Sequence, residues 1–276
     1  MNALVARLPR LGFWVLLSAA MALFLFPIYW IVAMSLKPPI DVFAMPPVWW
    51  FRPRLDSYRE LFGDAPTLKY LFNSSAISTM AVFLSVTLGA PAAYALSRLQ
   101  RWWKDSLLFT ILCVRMIPPM SLGLPFFLVF LQLGLLDTHL GLALVYLSVN
   151  LPLVIWMMKP FFDDVPIALE EAARIDGCTT FQALRMVVIP QVLPAMAAVG
   201  ILCWVFSWND YFFALILTRE SAKTAPVGIT YFIRFEDARW ATIAAGATVI
   251  ALPVMVFSLV VRRYLVSGLT GGAVKQ

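Results

Sequence analysis

The sequence predicts an all-α integral membrane protein with six transmembrane helices. Composition is the first reason: 62% of the 276 residues are hydrophobic and 13% are charged, against about 45–50% apolar and about 25% charged in ordinary soluble domains. Mean hydropathy is +0.85, and so much apolar surface needs lipid as its solvent. The second is the recurrence of apolar runs near the roughly 20 residues that cross a hydrocarbon core. The third is the contrast in charge between the short loops that separate them.

The first run, residues 11–36, follows Arg7 and Arg10. It is too long for a signal peptide and lacks a small-residue cleavage site. A polar, proline-bearing stretch, 37–69, comes next. Its Trp49, Trp50 and Phe51 have two readings, anchoring at the membrane interface and docking of another protein. The second span, 70–96, carries Asn73, Ser74, Ser75, Ser78, Thr79, Ser85, Thr87 and Gly89, the small and hydroxylated residues that let helices approach closely in lipid. Spans at 107–133, 140–160, 191–217 and 240–261 follow, the last stopped by Arg262 and Arg263.

The loop between spans two and three carries Arg98, Arg101 and Lys104, whereas the turn Gly134–His139 has no Lys or Arg. The positive-inside rule then makes the first loop cytoplasmic and the turn external, with both chain termini inside. The net charge of +6 is spread over short loops, which reads as a topology signal rather than a nucleic-acid surface. Cys113, Cys178 and Cys203 have no disulfide or metal-site spacing.

No catalytic set is visible. A G-x-x-x-x-G-K-[ST] loop is missing, so the chain does not itself bind ATP through one. His139 is the sole histidine and reads as a solvated turn residue, which removes H-E-x-x-H zinc chemistry and most triads.

Intramembrane polar residues are the next signal, because each is costly unless it faces a cavity or a partner. Arg115 lies roughly 12 Å into the third span. Pro118 and Pro119 follow and free backbone carbonyls. Two readings stand: Arg115 faces a water-filled route, or it is satisfied by those carbonyls. Trp204, Trp208 and Tyr211 share a helix face by their spacing, with Asn209 and Asp210 alongside. That stripe reads either as a carbohydrate-stacking surface on a translocation pathway or as helix packing with an aromatic belt.

The strongest signal is the polar island of residues 161–190, a cytoplasmic loop between spans four and five. Pro166 can open a helix near Ile167, favoured by Glu170 and Glu171 in its first turn. Gly177 ends it. Thr179 or Thr180 can cap a second helix from about Phe181 to Val188, closed by Pro190. A compact helical hairpin held between two spans is shaped to fit another protein.

Glu171-Ala172-Ala173-x-x-x-Gly177-x9-Val187-x-Ile189-Pro190 resembles the EAA motif of permease subunits of ATP-binding-cassette importers. The family pattern usually ends I-x-L-P, so Val187 and Ile189 depart from it conservatively. Asn73-Ser74, Met116-Ile117-Pro118-Pro119, Gly134-Leu135-Leu136-Asp137-Thr138, Trp208-Asn209-Asp210 and the tail from Gly268 to Lys275 resemble the MalG-like carbohydrate branch.

The resemblance implies a type I importer permease fold, a single transmembrane domain, in a bacterial or archaeal cytoplasmic (inner) membrane. Glu170, Glu171, Ala172, Ala173, Asp176, Gly177 and Pro190 would form the ATPase-coupling segment. The tail of residues 264–276, through Gly268, Leu269, Thr270, Gly271 and Lys275, would reach the ATPase dimer. Arg115, Pro118, Trp204, Trp208, Asn209, Asp210 and Tyr211 are the candidates for the translocation pathway.

The implied partners are a second, MalF-like permease, a homodimeric ATPase and an extracytoplasmic solute-binding protein met by the loop 218–239. The cargo would be a sugar or sugar derivative. The chain would bind no cofactor; ATP and Mg2+ would be used by the ATPase subunits, and this chain would not be an enzyme. The alternatives are a stand-alone secondary transporter or channel, which an EAA loop would not serve, and a membrane enzyme, for which no nucleophile–base or metal set exists.

Overall fold

A computed structural model describes residues 8–233 and 239–272, with side chains over 12–233 and 239–259. The principal helices are α1 (Leu8–Leu36), α2 (Asp56–Gly63), α3 (Thr67–Arg98), α4 (Lys104–Met116) and α5 (Pro119–Gln132). They continue as α6 (His139–Asp163), α7 (Ile167–Ile175), α8 (Thr180–Asn209), α9 (Phe212–Leu217) and α10 (Trp240–Gly272). Helices α1, α3, α6, α8 and the start of α10 are each long and apolar enough to cross a membrane, and α4 with α5 supplies a sixth crossing if the bent pair counts as one.

The chain divides into two compact units, one of Met1–Thr67 with Ile229–Leu252 and one of Leu68–Gly228 with Pro253–Gln276. In the first unit, the apolar window of α1 is exposed among the described residues of that unit, a surface suited to lipid or another subunit. Trp49 packs edge-on against Trp30 at 5.5 Å. Lys37 Nζ sits 4.6 Å from the Trp30 ring and 5.4 Å from Phe51, so two of the three clustered aromatics fold back on this unit. Trp50, 94% exposed, does not. Leu61 of α2 packs with Phe232 and Ala245, and Arg239 binds both Glu60 and Asp64, the latter at 2.7 Å.

In the second unit, α3 contributes to both apolar clusters. Its Ile77 and Ala81 join Phe130, Leu142, Val145 and Phe213 in one apolar cluster. Its Ala90, Ala93 and Tyr94 join Val154, Met158, Phe162, Val188 and Val199 in a second. Gly89 allows a close approach of α3 and α6, because a Cβ there would lie 2.7 Å from Val154 Cγ1 on α6. This is the small-residue packing that the second span's composition predicts.

Three sequence expectations need correction. The span predicted at 107–133 is broken: α4 and α5 meet at 86° across Ile117 and Pro118. Prolines 118 and 119 remove two helix donors in succession and push Ile117 into extended geometry. The span predicted at 191–217 ends at Asn209, with Asp210 extended before the separate α9. Pro190 does not close a helix; α8 runs through it from Thr180 to Asn209. A π turn at Leu184–Val188 lets the chain pass, since i→i+5 bonding relieves the clash of a proline ring with the preceding turn. The helix that contains the last span, α10, continues past Arg262 and Arg263 to Gly272.

Candidate functional site

The segment from Asp163 to Thr180 forms a tight hairpin. Pro166, extended at φ −60° and ψ 130°, precedes the first turn of α7, where a missing N–H costs nothing. The helix ends in a Schellman pair: Cys178 N donates to Ala173 O at 2.9 Å and Gly177 N to Arg174 O at 3.1 Å. Gly177 has φ +89°, a conformation that L side chains resist. Thr179 then caps α8 in a reciprocal box. Its hydroxyl accepts from Gln182 N at 3.3 Å, and Thr179 N donates to Gln182 Oε1 at 2.8 Å.

The two adjacent glutamates point in opposite directions. Glu171 is exposed, as are Ala172, Asp176 and Gly177, whereas Glu170 and Ala173 are buried. Glu170, 2% exposed, accepts from Tyr94 Oη at 2.5 Å and Arg98 Nε at 2.8 Å. Glu170 and Ala173 therefore leave the expected partner-facing set: helical periodicity turns them onto the chain's own α3 when Glu171 faces out. Ile175 is 85% exposed and Phe181 is 69% exposed. Such apolar side chains beside charges mark an interaction surface.

The residues proposed for a translocation pathway separate. Trp208, 2% exposed, stacks on Trp204 at 4.7 Å. Trp204 Nε1 donates to Thr79 Oγ1 at 3.3 Å. Phe257 lies 4.3 Å from the Trp204 ring as well, so the two indoles pack as a buried seam. Tyr211 stands beyond the end of α8 and is exposed, so it is not part of the stripe.

Asp210 Oδ1 accepts from Tyr146 Oη at 3.0 Å and from the Phe213 and Ala214 amides, which makes it the cap of α9. Exposed Asn209 folds back to donate to Val205 O at 2.8 Å. Arg115 forms no ion pair with Asp210. Its Nη1 donates to Val149 O on α6 at 2.6 Å, and its guanidinium lies 5.6 Å from the Phe206 ring. The carbonyl that satisfies it is thus not one freed by the adjacent prolines. Pro118 is exposed at the α4–α5 break. Tyr146, Asn150, Ser207 and Asp210 line a cavity of about 90 Å3 beside it.

Sequence reasoning missed the polar clamp at the other end of α3. Asp137, at φ +56°, receives the backbone amides of Arg219, Glu220, Ser221 and Ala222 at 2.9–3.2 Å. Asn73 Nδ2 donates to Ser221 O and Lys223 O, both at 2.9 Å. His139 Nε2 pairs with Asn73 Oδ1 at 2.8 Å. His139 is therefore part of this clamp and not a free turn residue. An aspartate one residue before a Thr N-cap carries no periodic signal, so its role is legible only once the 218–222 loop is in place.

Burial raises the Asp137 carboxyl, but the four amides outweigh it and hold it down to about 2, from 3.8. A depressed carboxyl stabilises the fold above its ordinary value and ceases to do so as pH falls through its folded one. Acidification from pH 4 towards 2 should therefore release the loop in the wild type, read as faster cleavage within residues 217–222 by an acid-active protease assayed at each pH. Asp137→Ala should show that faster cleavage at every pH.

These elements define a class: a polytopic helical membrane protein with a hairpin knob between two spans. Residues 85–270 match the model of the binding-protein-dependent transport system inner membrane component, and the chain belongs to that family. It is 36% identical over 271 residues to a probable ABC transporter permease protein, y4oR, of Sinorhizobium fredii, covering 98% of both chains. It is 39% identical to the trehalose transport system permease protein SugB of Mycobacterium tuberculosis, covering 96% of this chain and 98% of that one. Among solved structures it resembles a chain of a bacterial ABC transporter involved in the import of the acidic polysaccharide alginate. The TM-score is 0.77 at 26% identity, over 94% of this chain and 96% of that one.

Of the proposed ATPase-contacting tail, Gly268, Leu269, Thr270 and Gly271 lie within the backbone of α10, and Lys275 lies outside the described residues.

Proposed function

We propose that this chain is one of two unlike permease subunits of an ATP-driven importer of a sugar or sugar derivative. It sits in the cytoplasmic membrane with both termini inside. Its partner is a MalF-like permease, and a homodimeric ATPase supplies the energy of ATP and Mg2+. An extracytoplasmic binding protein delivers the cargo to the side where Asp137 clamps the 218–222 loop. The chain itself performs no catalysis.

The observation that carries this reading is the knob. Glu171, Ala172, Asp176 and Gly177 face outward beside exposed Ile175 and Phe181, as a segment seated in another protein requires. Membership of a binding-protein-dependent family supports the importer class, and relatives named for trehalose and alginate support the carbohydrate cargo.

Within the pathway, the buried indoles Trp204 and Trp208 act as packing. Pro118, Asn209 and Tyr211 are the exposed groups that meet cargo, with Arg115 behind the break. The helical tail of α10 extends towards the ATPase dimer.

Affinity purification of the tagged chain, co-expressed with the ATPase, second permease and binding-protein genes, tests the assembly. Recovery of the ATPase and second permease, with uptake only from the full set, is expected. Uptake by vesicles containing this chain alone would overturn the reading in favour of a stand-alone transporter.

A further inference from the structure

We propose that Tyr94, Arg98 and Glu170 form the joint through which α7 moves α3, making these three side chains positioning residues for coupled transport. The proposal rests on the reading of α7 as the helix that meets the ATPase. It assigns to buried groups a role that the exposed motif residues cannot fill.

The geometry of the joint is closed on all sides. One Glu170 carboxylate oxygen receives Arg98 Nε at 2.8 Å and Arg98 Nη2 at 2.6 Å, and the other receives Tyr94 Oη at 2.5 Å. Arg98 Nη2 also donates to Val165 O at 2.9 Å, so a single guanidinium holds the turn before α7 and the first turn of α7 together. The Tyr94 ring packs edge-on against Phe162 at the end of α6, 5.8 Å between centroids. Phe162 is itself fully buried.

Besides its packing on the start of α8, little else joins α7 to α3. Only Glu170 and Ala173 of its nine residues are buried, and alanine offers one methyl group. Apolar packing is non-directional and lets helices slide. A carboxylate filled by three donors fixes distance and orientation, and charge-assisted bonds of this kind are the strong ones. A displacement of α7 thus reaches α3 as a push or pull at Tyr94 and Arg98, one helical turn apart. It reaches α8 by a separate route, the turn through Gly177 and Thr179 and the direct packing of α7 on the start of α8.

What α3 does with that displacement follows from its far end. Asn73 and Ser74 hold the backbone of the 221–225 segment there. The same helix is therefore anchored to the knob at Arg98 and to the outer loop at Asn73. Twenty-five helical residues separate the two anchors, roughly 38 Å at about 1.5 Å per residue.

The test uses the complete transporter in proteoliposomes with its binding protein, at matched amounts of assembled complex. Cargo carried per ATP hydrolysed is the readout, since a merely structural role changes the yield of complex and not this ratio. Glu170→Gln and Arg98→Gln are each expected to lower the ratio about tenfold while basal ATP hydrolysis persists. Tyr94→Phe, which keeps the ring and the ion pair, is expected to lower it two- to threefold.

An unchanged ratio in assembled Glu170→Gln complexes overturns the joint. If that variant fails to assemble, Tyr94→Phe decides, and an unchanged ratio there overturns it equally. Glu171→Lys serves as the separate control: a normal ratio in that variant removes the coupling reading of α7 itself, whereas loss in Glu171→Lys with no loss in Glu170→Gln removes only the joint.

Discussion

Replacing Gly177 with proline is expected to uncouple ATP hydrolysis from transport while leaving the chain in the membrane. Gly177 sits at φ +89°, and proline locks φ near −65°. The substitution also removes the N–H that donates to Arg174 O, one of the two bonds that terminate α7. Strain at such a position costs about 1–3 kcal/mol, and the lost bond about 1 kcal/mol more. No side chain surrounds the position, so the damage stays in the turn. The turn sets the angle between α7 and α8, and hence the way Glu171 and Phe181 present themselves to a partner. Cargo carried per ATP in reconstituted vesicles should fall by tenfold or more, with the yield of membrane-inserted chain close to that of the wild type. Wild-type stimulation of ATP hydrolysis by the binding protein would contradict this.

A second large effect is expected at Gly89, for the opposite reason. Here the backbone is ordinary helix and the constraint is space. A Cβ would meet Val154 Cγ1 at 2.7 Å and Leu151 Cδ1 at 3.3 Å, and Val154 is fully buried on α6. Valine is stiff about χ1 and cannot rotate away, so α3 and α6 must separate. Overpacking of one well-fitted contact costs about 1–3 kcal/mol. Gly89→Ala should lower the thermal denaturation midpoint in detergent by several degrees, and Gly89→Leu should leave little monodisperse protein on size exclusion. A Gly89→Leu protein with a wild-type midpoint would show that α3 and α6 do not pack through this face.

The elements most visible in the sequence are those fixed by local chemistry. Pro166, Gly177 and Thr179 each announce a helix end by their own backbone or side-chain preference, and the hairpin can be drawn from them. Apolar length alone places five of the crossings. What the sequence hides is set by tertiary partners. Nothing local distinguishes Glu170 from Glu171; only the rotation of α7 against Tyr94 and Arg98 decides which one is buried.

The Trp204–Trp208 pair is a similar case. Its spacing fits a ligand platform and a packing seam equally well, and the burial of both indoles favours the seam. Two prolines also mislead in opposite directions: Pro118 breaks a span that hydropathy draws as continuous, while Pro190 fails to break one because a π turn absorbs it. Asp137 is the hardest to foresee, since its four donors come from a loop more than eighty residues away.

The central claim is that the hairpin from Glu171 to Pro190 touches an ATPase. A photoreactive amino acid placed at position 171, in the intact transporter in inside-out membrane vesicles, tests it directly. Irradiation should join this chain to the ATPase subunit, and the adduct should change in yield when ATP is bound. An adduct to the extracytoplasmic binding protein, or none to the ATPase in complexes that hydrolyse ATP normally, would contradict coupling through this loop.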